Sequence, residues 1–313
     1  MTMATLVTGG SGFIGSYVIR ALQERGEEVV CFDILEPLSK ISSIVDLGKV
    51  KFIQGDVRNV VDLFRIIKEE KVDRIIHAGA VLTLGAQKDP LLASQVNIGG
   101  TLHVLEAARI MKVKRVVFCS SVTAYGTIEQ SKQTEEYPKN PVTTYGVTKL
   151  TCEHFGLQYA KEFGVDFVAL RFPMIYGWRA SPMKGVAIYQ EIIERSWRGE
   201  SATVTTQDGL ERKFEPLYVK DAAKALLLAA FKGEFKNRIF NISSGEMLRL
   251  KGMMKIIQEF MPQSKVVIAE GSDASTKMEG FLDLTKAFED LGYRPDYSFR
   301  EGVKDYLSYL KRI

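Results

Sequence analysis

Tyr145-Gly-Val-Thr-Lys149 sets a phenol and an ammonium four residues apart, a spacing that puts both on one face at the start of a helix. A free tyrosine titrates near pH ~10, so a tyrosine that acts as a base near neutrality needs positive charge beside it, and Lys149 is such a charge. The same spacing also arises by chance on exposed helices, so the pair is informative only in company. Upstream, Cys119-Ser120-Ser121-Val122-Thr123-Ala124-Tyr125-Gly126 leaves an apolar run, placing hydroxyls where they can donate to a substrate oxygen. At the other end of the chain stands Thr8-Gly9-Gly10-Ser11-Gly12-Phe13-Ile14-Gly15. Its glycines are spaced for a tight turn, for backbone approach to a pyrophosphate and for close packing of strand on helix, with a helix N-terminus offering amides to the phosphates. Asp33 follows Gly15 by eighteen residues, where an acid binds ribose hydroxyls and repels a 2′-phosphate. That favours NAD. Asp56-Val57 is the kind of pair that holds an adenine, although an ordinary strand-end turn reads the same way.

These groups need a scaffold. Short Val- and Ile-rich runs without polar alternation at Thr5–Thr8, Glu28–Asp33, Val50–Gln54, Arg74–His77, Arg115–Ser120 and Asp166–Arg171 predict strands covered on both faces. Between them Phe13–Arg25, Val60–Glu70, Leu91–Met111 and Tyr145–Phe163 carry apolar residues at helical spacing. The βαβα rhythm predicts an α/β fold, a Rossmann doubly wound parallel sheet with a smaller, mostly helical C-terminal substrate lobe. Residues 1–172 are expected to form the cofactor domain and 173–313 the substrate lobe. A strand at Arg238–Ile242 returns to the first sheet, and helices are expected at Val186–Arg198 and Asp221–Phe231. In open parallel sheets ligands bind at the carboxyl ends of the strands, where Ser121 and Asp33 stand.

Composition narrows the class. The 313 residues are 46% hydrophobic and 26% charged, with 42 Lys+Arg against 38 Asp+Glu, so no basic stripe points to nucleic acid. Cys31, Cys119 and Cys152 are far apart and form no metal-binding pair; they read as reduced core thiols, and no metal site is expected. The longest apolar run, Ala225–Phe231, is far short of a membrane span of roughly 18 residues, and the N-terminus lacks a secretion signal, so a cytoplasmic location is expected.

Taken in order along the chain, TGGSGFIG, Asp33, IIHAGA, VNIGGTLHVLEAA, SSVTAYG, YGVTK, LRFPMIYG, LYVKDAAKALLLA, NISSGE and LDLTKAFEDLGYRP resemble the extended short-chain dehydrogenase/reductases, specifically the NAD-dependent epimerase/dehydratase family. The resemblance implies Tyr145 as acid/base, Lys149 as its electrostatic partner and ribose ligand, and Ser121 as the hydroxyl that orients the substrate oxygen. It implies a cofactor site lined by Gly9, Gly12, Phe13, Ile14, Asp33, Asp56, Val57, Ala78, Gly79, Ala80, Tyr145, Lys149, Phe172 and Pro173. Substrate would meet Thr83, Ser121, Val122, Thr123, Met174, Trp178 and Arg179. It further implies a homodimer paired through Leu91–Met111 and Tyr145–Phe163. His77 is expected to be a strand-end imidazole satisfied by backbone, and Asn97 to bridge backbone near the active site.

Three departures bear on substrate. Met174 stands where sugar-nucleotide members carry a phosphate-region asparagine. Phe214 occupies the place of an arginine, with Arg212 and Lys213 displaced by two, and Ser272–Phe281 contains only Lys277 where another arginine is expected. Buried phosphates without strong cations are costly. The expectation is therefore an NAD-dependent dehydrogenase of a small, sugar-like or carboxylated secondary alcohol, with an NAD-retaining sugar or nucleotide-sugar 4-epimerase as the alternative. Val122 and Thr123 occupy the dehydratase acid pair, which argues against dehydration.

Overall fold

Neighbouring residues of each central strand feed opposite cores. In β1 (Ala4–Thr8), Leu6 joins one apolar cluster and Val7 the other; Val30 and Cys31 divide in the same way in β2 (Glu28–Asp33). The pattern repeats with Ile75 and Ile76 in β4 (Val72–His77) and with Val116 and Val117 in β5 (Arg115–Ser121), so the strands read as continuous apolar runs. The computed structural model describes residues 3–34, 41–128, 132–179, 188–206, 208–269 and 280–312. With β3 (Lys51–Gln54), β6 (Phe167–Phe172) and β7 (Ile239–Asn241), these form a seven-stranded sheet in the order β3-β2-β1-β4-β5-β6-β7, every neighbouring pair parallel. The order reverses between β1 and β4, and the glycine loop that follows β1 opens into that crevice. The expected return of a late strand holds: β7 pairs with β6, Phe240 opposite Leu170.

Helices α1 (Phe13–Glu24) and α2 (Val60–Glu69) follow the predicted bounds within a residue. The expected single helix Leu91–Met111 is instead three segments. Pro90–Ala93 starts on an Asp89 cap, Ser94–Gly99 widens into a π-turn, and α3 (Gly100–Met111) completes it. The wide turn sits at Asn97, whose carbonyl accepts Thr101 Oγ1 at 2.5 Å and Cys152 Sγ at 3.2 Å. Helix α4 (Thr144–Phe163) begins on the Thr143 hydroxyl and ends at the left-handed Gly164. Helix α5 (Val219–Phe231) starts two residues before its predicted Asp221, and Val186 lies outside the described residues that continue as the helix Ile188–Trp197. The core continues into the C-terminal α6 (Phe299–Leu310) through Tyr176, Tyr189, Phe214 and Tyr306. All three cysteines are buried free thiols. Among the described residues no helix is long and apolar enough to cross a membrane.

Candidate active site

The glycine loop is shaped by what it must pass. Gly9 has φ +67°, and a Cβ on Gly15 would stand 2.2 Å from the Gly9 carbonyl oxygen, so α1 can press against the turn only without a side chain there. No side chain caps the first turn of α1, whose N-cap is Gly12. Its amides therefore face the crevice as an anion cradle. Ser11 N donates to Asp33 Oδ2 at 3.1 Å, tying the loop to the acid at the end of β2. Across the crevice Ala78 N donates to the Thr8 carbonyl, and Gly79 approaches Gly9 closely. Phe13 and Ile14 at the start of α1 and Ala78 and Gly79 after β4 thus meet at one cradle with a carboxylate at its far end, which fits a dinucleotide pyrophosphate and a ribose diol, and Ala80 follows two residues after Ala78. Beyond β3, Asp56 is gripped by Arg58, whose guanidinium holds its carboxyl below the usual range, and His103 Nδ1 donates to the Val57 carbonyl at 3.0 Å.

The catalytic candidates meet through a close backbone approach. Ser121 ends β5 and caps the short turn Val122–Ala124; its Oγ accepts Thr123 N at 3.2 Å and Thr123 Oγ1 at 3.0 Å. With both lone pairs engaged, the hydroxyl proton is left to donate to a substrate oxygen. A Cβ on Gly146 would lie 2.4 Å from the Thr123 carbonyl, so the glycine beside Tyr145 lets the start of α4 close on this turn. Lys149 is 2% exposed, donates from Nζ to the Cys119 carbonyl at 2.7 Å, and lies 5.5 Å from the Tyr145 ring centroid. Phe172, opposite Ser121 in the β5/β6 register, brings Pro173 to the same edge.

His77 departs from expectation in its partners. Two threonine hydroxyls, not backbone, satisfy it: Nδ1 is 2.6 Å from Thr8 Oγ1 and Nε2 3.1 Å from Thr101 Oγ1. Since Thr101 gives its proton to the Asn97 carbonyl, it accepts from Nε2–H, and Nδ1 accepts from Thr8. Burial, aided by the Lys149 charge, pushes the imidazole down to about 3. The unfolded chain takes up this proton below about pH 6.5, so the stability held by neutral His77 is present above that pH and is lost as pH falls from 6.5 toward 3. Between pH 7 and 5 the wild type should lose about 2 kcal/mol relative to His77→Asn in denaturant unfolding. Glu215, raised to about 7, and Asp221, raised to about 6, both by burial, change stability in the opposite sense, and the comparison between the two proteins removes them. Parallel pH dependences would refute the assignment.

Asn97 bridges as expected. Its Oδ1 accepts Val81 N at 2.7 Å, and its Nδ2 donates to the Val81 carbonyl and to Thr148 Oγ1, next to Lys149. Of the substrate candidates, Thr83 is buried at the start of a short helix, Thr83–Lys88, and Met174 is half-buried. Trp178 makes its contacts elsewhere: its carbonyl accepts Tyr17 OH, its Nε1 reaches Ser43 Oγ at 3.5 Å, and its ring faces Tyr306. Arg179 holds φ +70°, and its buried Nη1 has no hydrogen-bond partner among the described residues; burial pulls its guanidinium below the usual range. Phe214 is buried edge-on to Tyr189 and Arg212 binds Asp208, whereas Lys277 lies outside the described residues. Unforeseen was a buried polar cluster, Ser120, Glu153 and Arg171, beneath Ser121. Its signal was the continuation of the four-residue spacing from Tyr145 and Lys149 to Glu153.

A switch-point cradle beside a serine, tyrosine and lysine on this sheet defines an extended short-chain dehydrogenase/reductase. Residues 5–243 match the model of the NAD dependent epimerase/dehydratase family, and the chain belongs to that family. A putative UDP-glucose 4-epimerase of Methanocaldococcus jannaschii is 30% identical over 308 residues, 98% of each chain. The UDP-glucose 4-epimerase of Thermotoga maritima, solved with UDP-glucose, superposes with a TM-score of 0.90 at 28% identity, covering 99% of each chain. That of Thermus thermophilus, solved with NAD, gives 0.87 at 28%, again over 99% of each. An L-threonine dehydrogenase of Phytophthora infestans gives 0.87 at 27% over 99% of each. NAD is the cofactor that this family and this cradle call for.

Proposed function

We propose that the chain is a nucleotide-sugar 4-epimerase that retains its NAD, with UDP-glucose as the first substrate to test. The observation that carries this is end-to-end similarity to 4-epimerases in a chain holding Ser121, Tyr145 and Lys149 together at the sheet edge. It replaces the small-alcohol dehydrogenase that the altered phosphate positions suggested. Those positions assume fixed partners for the phosphates, and Arg179, whose buried Nη1 has no partner among the described residues, supports a substrate that brings negative charge.

Bound NAD supplies a hydride acceptor that can return the hydride. The residues handle the proton and the orientation. Tyr145 Oη takes the proton of the substrate hydroxyl and gives it back, Ser121 donates to the same oxygen, and Lys149 beside the phenol ring supplies the positive charge. Epimerisation needs the ketone to turn over between the two halves, so the cofactor must stay bound.

The test is incubation of the purified protein with UDP-glucose, following UDP-galactose by NMR and NADH by absorbance. Interconversion with no NADH in solution is expected; no interconversion, with stoichiometric NADH from a small secondary alcohol, would establish the dehydrogenase instead. That second reading draws on Met174, on Phe214 and on the threonine dehydrogenase neighbour.

A homodimer belongs to the same reading. Leu91 and Ile110 on the Pro90–Met111 stretch, and Val147, Phe155 and Phe163 on α4, are all exposed. A second copy pairing these helices would cover them. Sedimentation at micromolar concentration should give twice the 35.1 kDa chain mass, and Phe155→Glu should shift it toward monomer. A monomeric wild type would rule this out.

A further inference from the structure

Ser121 lies on β5, whereas Tyr145 and Lys149 lie on α4, so their mutual geometry depends on how that helix is pinned to that strand. Two successive turns of α4 reach the strand. Lys149 Nζ bonds the Cys119 carbonyl, and one turn later Glu153 Oε1 accepts Ser120 Oγ at 2.5 Å. Both ties fall on the two residues that precede Ser121.

Glu153 is in turn clamped. Arg171 on β6 donates from Nε to Oε1 at 2.9 Å and from Nη2 to Oε2 at 2.6 Å, and each residue is 2% exposed. The remaining arm, Nη1, donates to the Glu135 carbonyl at 3.1 Å, and the guanidinium lies 4.6 Å from the Tyr125 ring centroid. Tyr125 OH then donates to Asn241 Oδ1 at 2.7 Å, while Asn241 N donates to Glu135 Oε1 at 2.8 Å. One buried polar chain therefore joins the helix of Tyr145 to the carboxyl ends of β5, β6 and β7.

A buried ion pair gives little stability over apolar residues of the same shape, so stability does not account for this one. A bidentate fork does something apolar contact cannot: it fixes two planar groups in direction as well as distance. We propose that Glu153 and Arg171 are positioning residues that lock α4 against β5, so that Tyr145 Oη and Ser121 Oγ meet the same substrate oxygen. This rests on the reading of Tyr145 as the acid/base. Reacting groups tolerate little error, and a displacement of about 1 Å can cost about a hundredfold in rate.

Three variants of the NAD-loaded protein test it. Ser120→Ala keeps the ion pair and cuts its tie to β5; Arg171→Lys keeps the charge and loses the fork; Glu153→Met with Arg171→Met replaces the pair by apolar bulk. Turnover should fall about tenfold in the first and about a hundredfold in the others. KM and bound NAD should stay within about twofold, the signature of a defect confined to the reacting geometry. A merely stabilising pair would lower the melting temperature and leave turnover per folded molecule unchanged, and that result overturns the proposal. If the Arg171 variants do not fold, Ser120→Ala decides alone: wild-type turnover refutes it. Tyr145→Phe, measured alongside, separates the two readings. Were it fully active, the acid/base assignment would fail; were it inactive while the three variants ran at wild-type rate, only the positioning role would.

Discussion

Tyr145→Phe should lower turnover by about 10²- to 10⁴-fold while the protein keeps its NAD and its fold, as read by NMR of the sugar products, by cofactor released on denaturation and by circular dichroism. The change removes one oxygen from a half-buried ring at the start of α4 and leaves Lys149 on the Cys119 carbonyl and Ser121 on its turn. Cradle and oxyanion-side donor survive, but no group remains to take the substrate proton, and orientation alone supplies the residual rate. Unchanged turnover with UDP-glucose would remove Tyr145 from the mechanism and require another group to take the substrate proton.

Gly15→Ala should be nearly as damaging by another route. The new methyl would stand 2.2 Å from the Gly9 carbonyl oxygen, 2.7 Å from Gly10 Cα and 2.9 Å from the Gly9 carbonyl carbon, all backbone. No side-chain rotation relieves that, so either α1 moves off the sheet or the turn opens, and both misdirect the amides that cradle pyrophosphate. The expected result is purified protein with less than about a tenth of the wild-type NAD, because tight phosphate binding depends on several aligned donors. Turnover should fall with the NAD content. Full NAD occupancy in a folded Gly15→Ala protein would mean that the cofactor does not sit on this loop.

Much of this was legible because it is local. The strands β1, β2 and β5 announce themselves by β-branched runs, α4 by apolar residues at helical spacing, and the cradle by glycines between a strand and a helix. The return of β7 to the sheet agrees with the expected strand at Arg238–Ile242. Less legible was the break at Ser94–Gly99. A π-turn differs from an α-turn by one residue per cycle, and its apolar period over six residues is too close to helical to betray it.

Hydrogen bonds between distant segments were harder still. His77 invites a backbone partner from its place at a strand end, yet Thr8 and Thr101 reach it from sixty-nine and twenty-four residues away. Arg171 stands in a strand that reads as apolar, and nothing in its neighbours forecasts the fork on Glu153. The substrate reading suffered for the same reason: Met174 and Phe214 announce lost contacts, whereas the buried Nη1 of a half-buried Arg179 appears only when the chain has folded.

Ser120 and Ser121 show the division most plainly. The sequence by itself determines the class of sheet, the glycine loop, the candidate acid at the end of β2 and the tyrosine–lysine pair, because each is a matter of spacing along one strand, turn or helix. The resemblance singles out Ser121, but what each of the two adjacent serines touches is decided only by the tertiary structure. Successive side chains on a strand point to opposite faces, so once β5 pairs with β4 and β6, Ser120 is turned under α4 onto Glu153 and Ser121 is left beside Tyr145's turn with a proton to give.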